Sequence, residues 1–167
     1  MIILGIDTAL RCSGYGVVEA QASRFKALDC GVIRTPAKQP HSQCLARLGG
    51  GIEELLKQFH PTVAVIEGGF FSRNVKTAMV LGMARGVVVG LCARHDVPIY
   101  EYAPRKAKQV VTGFGGADKA RVATAMANLL HLDVREIPED STDAMALAVC
   151  HGLTCHTHQG LFLPAPL

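Results

Sequence analysis

Met1-Ile2-Ile3-Leu4-Gly5-Ile6-Asp7 opens the chain, and a short apolar run closing on a single acid reads as a buried β-strand with a carboxylate at its C-terminal end. The pattern returns at Thr62-Val63-Ala64-Val65-Ile66-Glu67, a β-branched run that again ends on an acid. Ligands bind at the C-terminal edge of open α/β sheets, so Asp7 and Glu67 are the first candidates for a site. Each alone is explained by a solvated strand end. Two such acids on strands expected to lie side by side shift the balance toward a site.

Outward from the first strand, residues 14–19 and 25–34 are further strand candidates, and with it they predict a meander with short turns. Pro36 and Pro40 interrupt the chain, after which Leu45, Leu48, Ile52, Leu55 and Leu56 recur at helical spacing up to Pro61. Beyond Glu67, Ser72 is placed to cap a long helix reaching about His95, and residues 97–102 form another strand. Helices follow over 104–112 and 117–130, separated by Gly113-Phe114-Gly115-Gly116, and a last helix begins near Asp140. The order predicts an α/β fold around a five-stranded mixed sheet, three antiparallel strands then parallel ones, flanked by helices. Residues 1–158 are expected to form one domain, and residues 159–167, with two prolines, a frayed tail.

The chain has 167 residues, 49% of them apolar and 19% charged, which suits one cored domain and excludes wholesale disorder. The most apolar stretch, 77–93, carries Arg85 near its centre, where arginine costs roughly 2.5–3.5 kcal/mol in a bilayer, so no membrane span is expected. The start lacks the features of a secretion signal, and the six cysteines, at 12, 30, 44, 92, 150 and 155, form no C-x-x-C pair. A reducing cytoplasm fits these features better than a disulfide framework. Net charge is +3, but it is segregated: +1 over residues 1–72, +6 over 73–121 and −4 over 122–167. A basic middle suggests contact with a polyanion; ordinary solvation of a helix face is an equal alternative from charge alone.

Asp140 and Asp143 share one face of the last helix's start, where an N-cap and the helix dipole would account for both. If they instead converge with Asp7 and Glu67, each like-charged pair at 4 Å repels by about 4 kcal/mol at an effective dielectric near 20. Such a cluster requires protons or cations. Oxygen ligands without His or Cys select Mg²⁺ or Mn²⁺ over zinc, and two such ions can clamp the attacking and leaving oxygens of a phosphoryl displacement. Acidic ligands beside a basic surface would then meet the scissile phosphate and its neighbours together.

Further motifs give the constellation a family context. Ile3-Leu4-Gly5-Ile6-Asp7, Ser13-Gly14-Tyr15-Gly16-Val17, Ala64-Val65-Ile66-Glu67 with Phe70, and Leu81-Gly82-x-Ala84-Arg85-Gly86 come first. Tyr102-Ala103-Pro104, Lys108-Gln109-x-Val111-x-Gly113, Lys119, and Asp140-x-x-Asp143-Ala144-x-Ala146-Leu147-Ala148 follow. In this order the chain resembles the RuvC-type Holliday junction resolvases of bacteria, in the ribonuclease H-like superfamily. The resemblance spans about residues 1–151. It implies a ribonuclease H-like fold and a homodimeric, cytoplasmic endodeoxyribonuclease that nicks opposing strands of a four-way DNA junction in recombination and repair. It further implies two Mg²⁺ per site, with Mn²⁺ able to substitute, and a branch-migration motor as partner. By position, Asp7, Glu67, Asp140 and Asp143 match the catalytic, metal-binding carboxylates. Lys119 matches a basic residue of catalysis or DNA binding, Lys108 one of DNA binding, and Phe70 an aromatic that contacts the opened junction. Arg73 and Lys76, beside the Phe70 loop, join the expected DNA contacts. The chain departs from the family in Thr8-Ala9, where Pro-Gly is usual, and in Gly68-Gly69, where a larger polar residue is usual after the Glu.

Gly82, Gly86 and Gly90 form a smooth helical stripe suited either to sheet packing or to a two-fold dimer interface, and the interface is preferred. Cys150-His151 and Cys155-His156-x-His158 match no common zinc spacing and read as buried cysteines and surface histidines. Gly113-Phe114-Gly115-Gly116 lacks the Gly-Lys-Ser/Thr of a P-loop. Three rivals remain: an ATPase of the actin and sugar-kinase type, for which the chain is short; a non-catalytic DNA-binding module; and another ribonuclease H-like nuclease acting on RNA or flaps.

Overall fold

The computed structural model describes residues 1–68, 74–157 and 164–167. Five strands form one sheet: β1 (Ile2–Asp7), β2 (Cys12–Gln21), β3 (Arg24–Arg34), β4 (Val63–Glu67) and β5 (Ile99–Tyr102), in the order β3-β2-β1-β4-β5. β1, β2 and β3 pair antiparallel, whereas β4 joins β1, and β5 joins β4, in parallel. This is the five-stranded mixed sheet of the sequence reading. The long meander strands reverse through Ala22, which adopts a positive φ of 54°. β5 starts later than expected because Val97 N–H still bonds to Cys92 of the preceding helix and Pro98 has no N–H to give a ladder.

Two helices cover one face. α1 (His41–Phe59) follows Pro40, buries Leu48, Ile52, Leu55 and Leu56, and ends at His60 in the left-handed region just before Pro61. α2 (Val75–Arg94) is capped by Asn74, whose side-chain oxygen accepts from Thr77 N–H; Ser72, the expected cap, lies outside the described residues. The other face carries α3 (Pro104–Thr112), α4 (Lys119–Leu130, capped by Asp118) and α5 (Thr142–Thr157). α5 is preceded by a 3₁₀ turn over Glu139–Ser141, so Asp140 lies ahead of the helix, with its side chain bonded to Cys12 and Arg34.

Strand alternation divides the core. Leu4, Ile6, Val17, Ala64 and Ile66 pack against α1 and α2, and Ile3, Val18, Val63 and Val65 against α3–α5. α2 keeps only Ala84, Val88 and Cys92 buried. Val75, Met79, Gly82, Met83, Gly86, Gly90 and Ala93, at helical spacing, line its exposed side. A methyl added at Gly82, Gly86 or Gly90 meets nothing within 4 Å, so these glycines do not serve sheet packing.

His151 departs from its expected surface position. It is 1% exposed, faces the Tyr102 hydroxyl at 3.0 Å through Nδ1, and lies 3.4 Å from Cys155 Sγ through Nε2. Of the expected tail, residues 159–163 lie outside the described residues, as does residue 158, and Leu167 N–H donates to the Ile99 carbonyl at 2.9 Å.

Candidate active site

The register of the central parallel pair builds the site. Ile3 lies opposite Val63, Gly5 opposite Val65 and Ile6 opposite Ile66, so one step further the strands end in Asp7 and Glu67 side by side. Period-two alternation puts Asp7 on the face of Ile3 and Gly5, and Glu67 on that of Val63 and Val65. That face receives α5, with Asp143 in its first turn.

α5 comes close because strand residues beneath it lack side chains. A Cβ at Gly5 would lie 2.0 Å from the Ala144 carbonyl oxygen, one at Gly14 1.8 Å from that of Asp140, and one at Gly16 2.5 Å from Met145 Cγ. The last two glycines stand on β2, directly beside β1. Backbone thus rests on backbone where the 3₁₀ turn and α5 cross the sheet edge, and Asp140 and Asp143 are carried toward Asp7.

The charges interact accordingly. Burial pushes the Asp7 carboxyl above its usual range, Asp143 and Asp140 add to the effect, and Lys119 opposes it. Glu67 is also raised, first by burial and then by Asp7 and Asp143, with Lys108 opposing. Asp140 differs. It accepts from Cys12 Sγ at 3.2 Å and from Arg34 Nη2 at 2.8 Å, and these two bonds hold its carboxyl below the usual range. Cys12 and Arg34 are register partners on β2 and β3, which explains how both reach one carboxylate.

Two cavities flank Glu67. One of about 260 Å³ is lined by Asp7, Thr8, Glu67, Leu81, Gly82 and Arg85. The other, about 230 Å³, includes Glu67, Lys108, Asp143 and Leu147. Thr8 Oγ1 is buried without a hydrogen-bond partner among the described residues. A larger groove of about 480 Å³ between β3 and α1 contains none of the four carboxylates.

The four expected carboxylates are therefore brought to one edge of the sheet, near enough for their charges to interact. Lys119 opens α4 with Nζ 3.9 Å from Glu139, and its charge reaches Asp7 and Asp140. Lys108 faces Glu67 from α3, and Lys76 is exposed in the first turn of α2. Phe70 and Arg73 lie outside the described residues. Sequence reasoning missed Cys12, Arg34 and Arg85 as neighbours of the carboxylates. No spacing signals the first two, which reach Asp140 across more than a hundred residues. Arg85 had one signal, a charge at the centre of the apolar stretch 77–93.

The donor set is all carboxylate oxygen, which fits a hard divalent cation. Among the described residues, no group of three or more His, Cys, Asp or Glu side chains is gathered tightly enough to hold an ion. The carboxylates are linked by charge, Asp7 with Asp143 and Asp140, and Glu67 with Asp7 and Asp143.

Comparison with known proteins gives a consistent result. The family model described as crossover junction endodeoxyribonuclease RuvC matches residues 3–151. The chain is 42% identical to the RuvC of Alkaliphilus metalliredigens over 162 residues, covering 97% of this chain and 98% of that protein. It is also 42% identical to the RuvC of Clostridioides difficile over 151 residues, covering 90% of this chain and 89% of that one. Among solved structures, T. thermophilus RuvC in complex with a Holliday junction substrate superposes with a TM-score of 0.89 at 30% identity, covering 100% of this chain and 99% of that one. The yeast mitochondrial Holliday junction resolvase, at 11% identity and a TM-score of 0.66, shares the fold.

Proposed function

Because the chain belongs to the RuvC family of crossover junction endodeoxyribonucleases, we propose that it resolves four-way DNA junctions by paired, symmetric, divalent-metal-dependent hydrolysis of phosphodiester bonds. The observation that carries this is the pair of half-buried acids, Asp7 and Glu67, held at adjacent strand ends within electrostatic reach of Asp143. Buried acids placed side by side, each disfavouring the other's charge, mark functional sites, and a cation would offset their repulsion.

In this reading Asp7, Glu67, Asp140 and Asp143 would hold two Mg²⁺ per site through their carboxylate oxygens. Bound Mg²⁺ supplies positive charge to the scissile phosphate and acidifies water. Lys119 steadies the charge that builds on phosphate oxygens. Lys108, Arg73 and Lys76 hold neighbouring phosphates, and Phe70 stacks on an opened base.

A homodimer is part of the proposal. The apolar, glycine-lined side of α2 leaves Val75 72%, Met79 66% and Met83 43% exposed. A second copy related by a two-fold axis would cover this face with its own, and the lack of side chains at the glycines suits close helix approach. The helix is long and apolar enough to span a membrane by length and composition. The opposite side packs on α1 and the sheet, and Arg85 is ion-paired, both of which favour a protein partner. Two identical sites would nick opposing strands together. We place the enzyme in the bacterial cytoplasm, beside a branch-migration motor, and read residues 1–158 as its single domain.

A mobile four-way junction, a duplex and an RNA–DNA hybrid, each with and without Mg²⁺, test the function. The parent should cut only the junction, in paired nicks and only with Mg²⁺, and Asp7→Asn should bind the junction without cutting. Parental cleavage by Asp7→Asn, or preferential cutting of the hybrid, would overturn the reading.

A further inference from the structure

Arg85 sits midway along α2 with its side chain 28% exposed, turned from the apolar side toward the ends of β4 and β5. Its Nη1 donates to the Glu67 main-chain carbonyl at 2.8 Å, and its Nη2 pairs with the Glu101 carboxylate on β5. The two strands are already joined there, with Glu67 opposite Tyr102 and Gly68 N–H donating to the Tyr102 carbonyl at 2.9 Å. Gly68 is buried, and a Cβ on it would stand 3.1 Å from Glu101 Cβ. Glycine at this position therefore leaves Glu101 the room to meet Arg85, which gives one of the chain's family departures a physical basis. The guanidinium also lines the cavity that contains Asp7 and Glu67.

From this geometry we infer that Arg85 is a positioning residue. It clamps the end of β4 to α2, fixes where the Glu67 carboxylate points, and makes that aim depend on the helix whose far side is the proposed dimer face. The physical reason is fork geometry. A guanidinium can satisfy a carbonyl and a carboxylate at once, whereas a lysine ammonium at the same place is a point charge on a flexible stem. Glu67 stands on the last residue of its strand, beyond the point where paired neighbours on both sides fix the backbone. The inference rests on the proposed role of the carboxylates as cation ligands.

Its test reads cation binding by the intact chain without DNA, by titration calorimetry with Mg²⁺ alone. Partners that orient metal ligands typically change affinity about 10- to 100-fold. Arg85→Gln is expected to weaken Mg²⁺ binding at least tenfold, Arg85→Lys to recover part of the loss, and junction binding in EDTA to stay near parental. Glu101→Gln keeps the Arg85 bond to the Glu67 carbonyl, so it should fold if Arg85→Gln does not, and should weaken Mg²⁺ binding by a smaller factor. Val88→Ala, a buried change on the same helix, should lower thermal stability without moving Mg²⁺ affinity. Parental Mg²⁺ affinity in folded Arg85→Gln, or in Glu101→Gln, would overturn the inference. Parental affinity in Asp7→Asn would instead overturn the assignment of the carboxylates.

Discussion

Gly14→Ala is the smallest change that should separate folding from catalysis here. The added methyl carbon would lie 1.8 Å from the Asp140 carbonyl oxygen, 2.8 Å from its carbonyl carbon and 3.2 Å from Ser141 Cα. Non-bonded heavy atoms settle at about 3.5 Å, so the 3₁₀ turn must withdraw by roughly 1.5 Å. The obstructing atoms are backbone, and no rotamer change relieves them. Overpacking of this kind costs about 1–3 kcal/mol. For a domain of this size, each kcal/mol lowers Tm by roughly 2–4 °C, a loss a cored domain survives. The catalytic effect should be larger than the stability effect. The turn carries Asp140 and leads directly into Asp143, while Asp7 stays on β1, and a misplacement of about 1 Å can cost 10²-fold in rate. The assay is single-turnover cleavage of a mobile four-way junction at saturating Mg²⁺, well below the variant's Tm, with junction binding in EDTA measured alongside. The expected result is a loss of about two orders of magnitude in rate with binding little changed. Cleavage within threefold of the parent would show that the close seating of the turn on β2 does not set the carboxylate geometry.

Asp7→Asn should raise Tm in EDTA at pH 8, because the fold disfavours the charged form of Asp7. The gain should fade as pH falls toward the ordinary value of 3.8, where the parent's carboxyl is protonated too, and Mg²⁺ should stabilise the parent but not the variant. A gain that is independent of pH would refute this. Burial lowers the pKa of His151 from 6.5 to about 4, so its contribution is fully present above pH 6.5 and is lost as pH falls toward 4, at a slope of at most about 1.4 kcal/mol per pH unit. His151→Gln should flatten that part of the stability curve in urea titrations; an unchanged slope would show that His151 is charged in the fold. Gly50→Ala, in the interior of α1 with nothing within 4 Å of the added carbon, should stabilise by about 0.5–1 kcal/mol and leave cleavage unaltered. Gly51→Ala next to it would drive a methyl to 2.8 Å from Ile33 Cδ1 and should do the reverse, as thermal melts will show. Met79→Glu places a charge on the open side of α2 and should yield a monomer in sedimentation equilibrium with the fold retained; a persisting dimer would move the interface elsewhere.

Local chemistry was enough to read much of the fold. The apolar runs ending at Asp7 and Glu67 are β1 and β4 to the residue at their C-terminal ends, and Pro104 and Gly113 mark the limits of α3 because one cannot continue a helix backward and the other relaxes its exit. Helix starts were less legible. The long second helix is capped by Asn74, a residue the spacing did not single out, because many Ser, Thr, Asn and Asp side chains carry a capping oxygen. His151 was misread because its burial depends on Tyr100 and Tyr102, which come from a strand about fifty residues away.

The sequence by itself determined the composition of the site: carboxylates at strand ends, lysines in the basic middle and glycines where a backbone must come close. Each follows from a residue's own chemistry and its immediate neighbours. Tertiary structure decided the rest. The parallel register sets Asp7 beside Glu67, alternation turns both toward α5, and three side-chain-free positions let that helix approach. Cys12 and Arg34 on Asp140, and Arg85 on the Glu67 carbonyl, arise only when strands and helices distant in the chain are packed together. Aim and distance between such groups are properties of packing, and no local pattern of residue types encodes them.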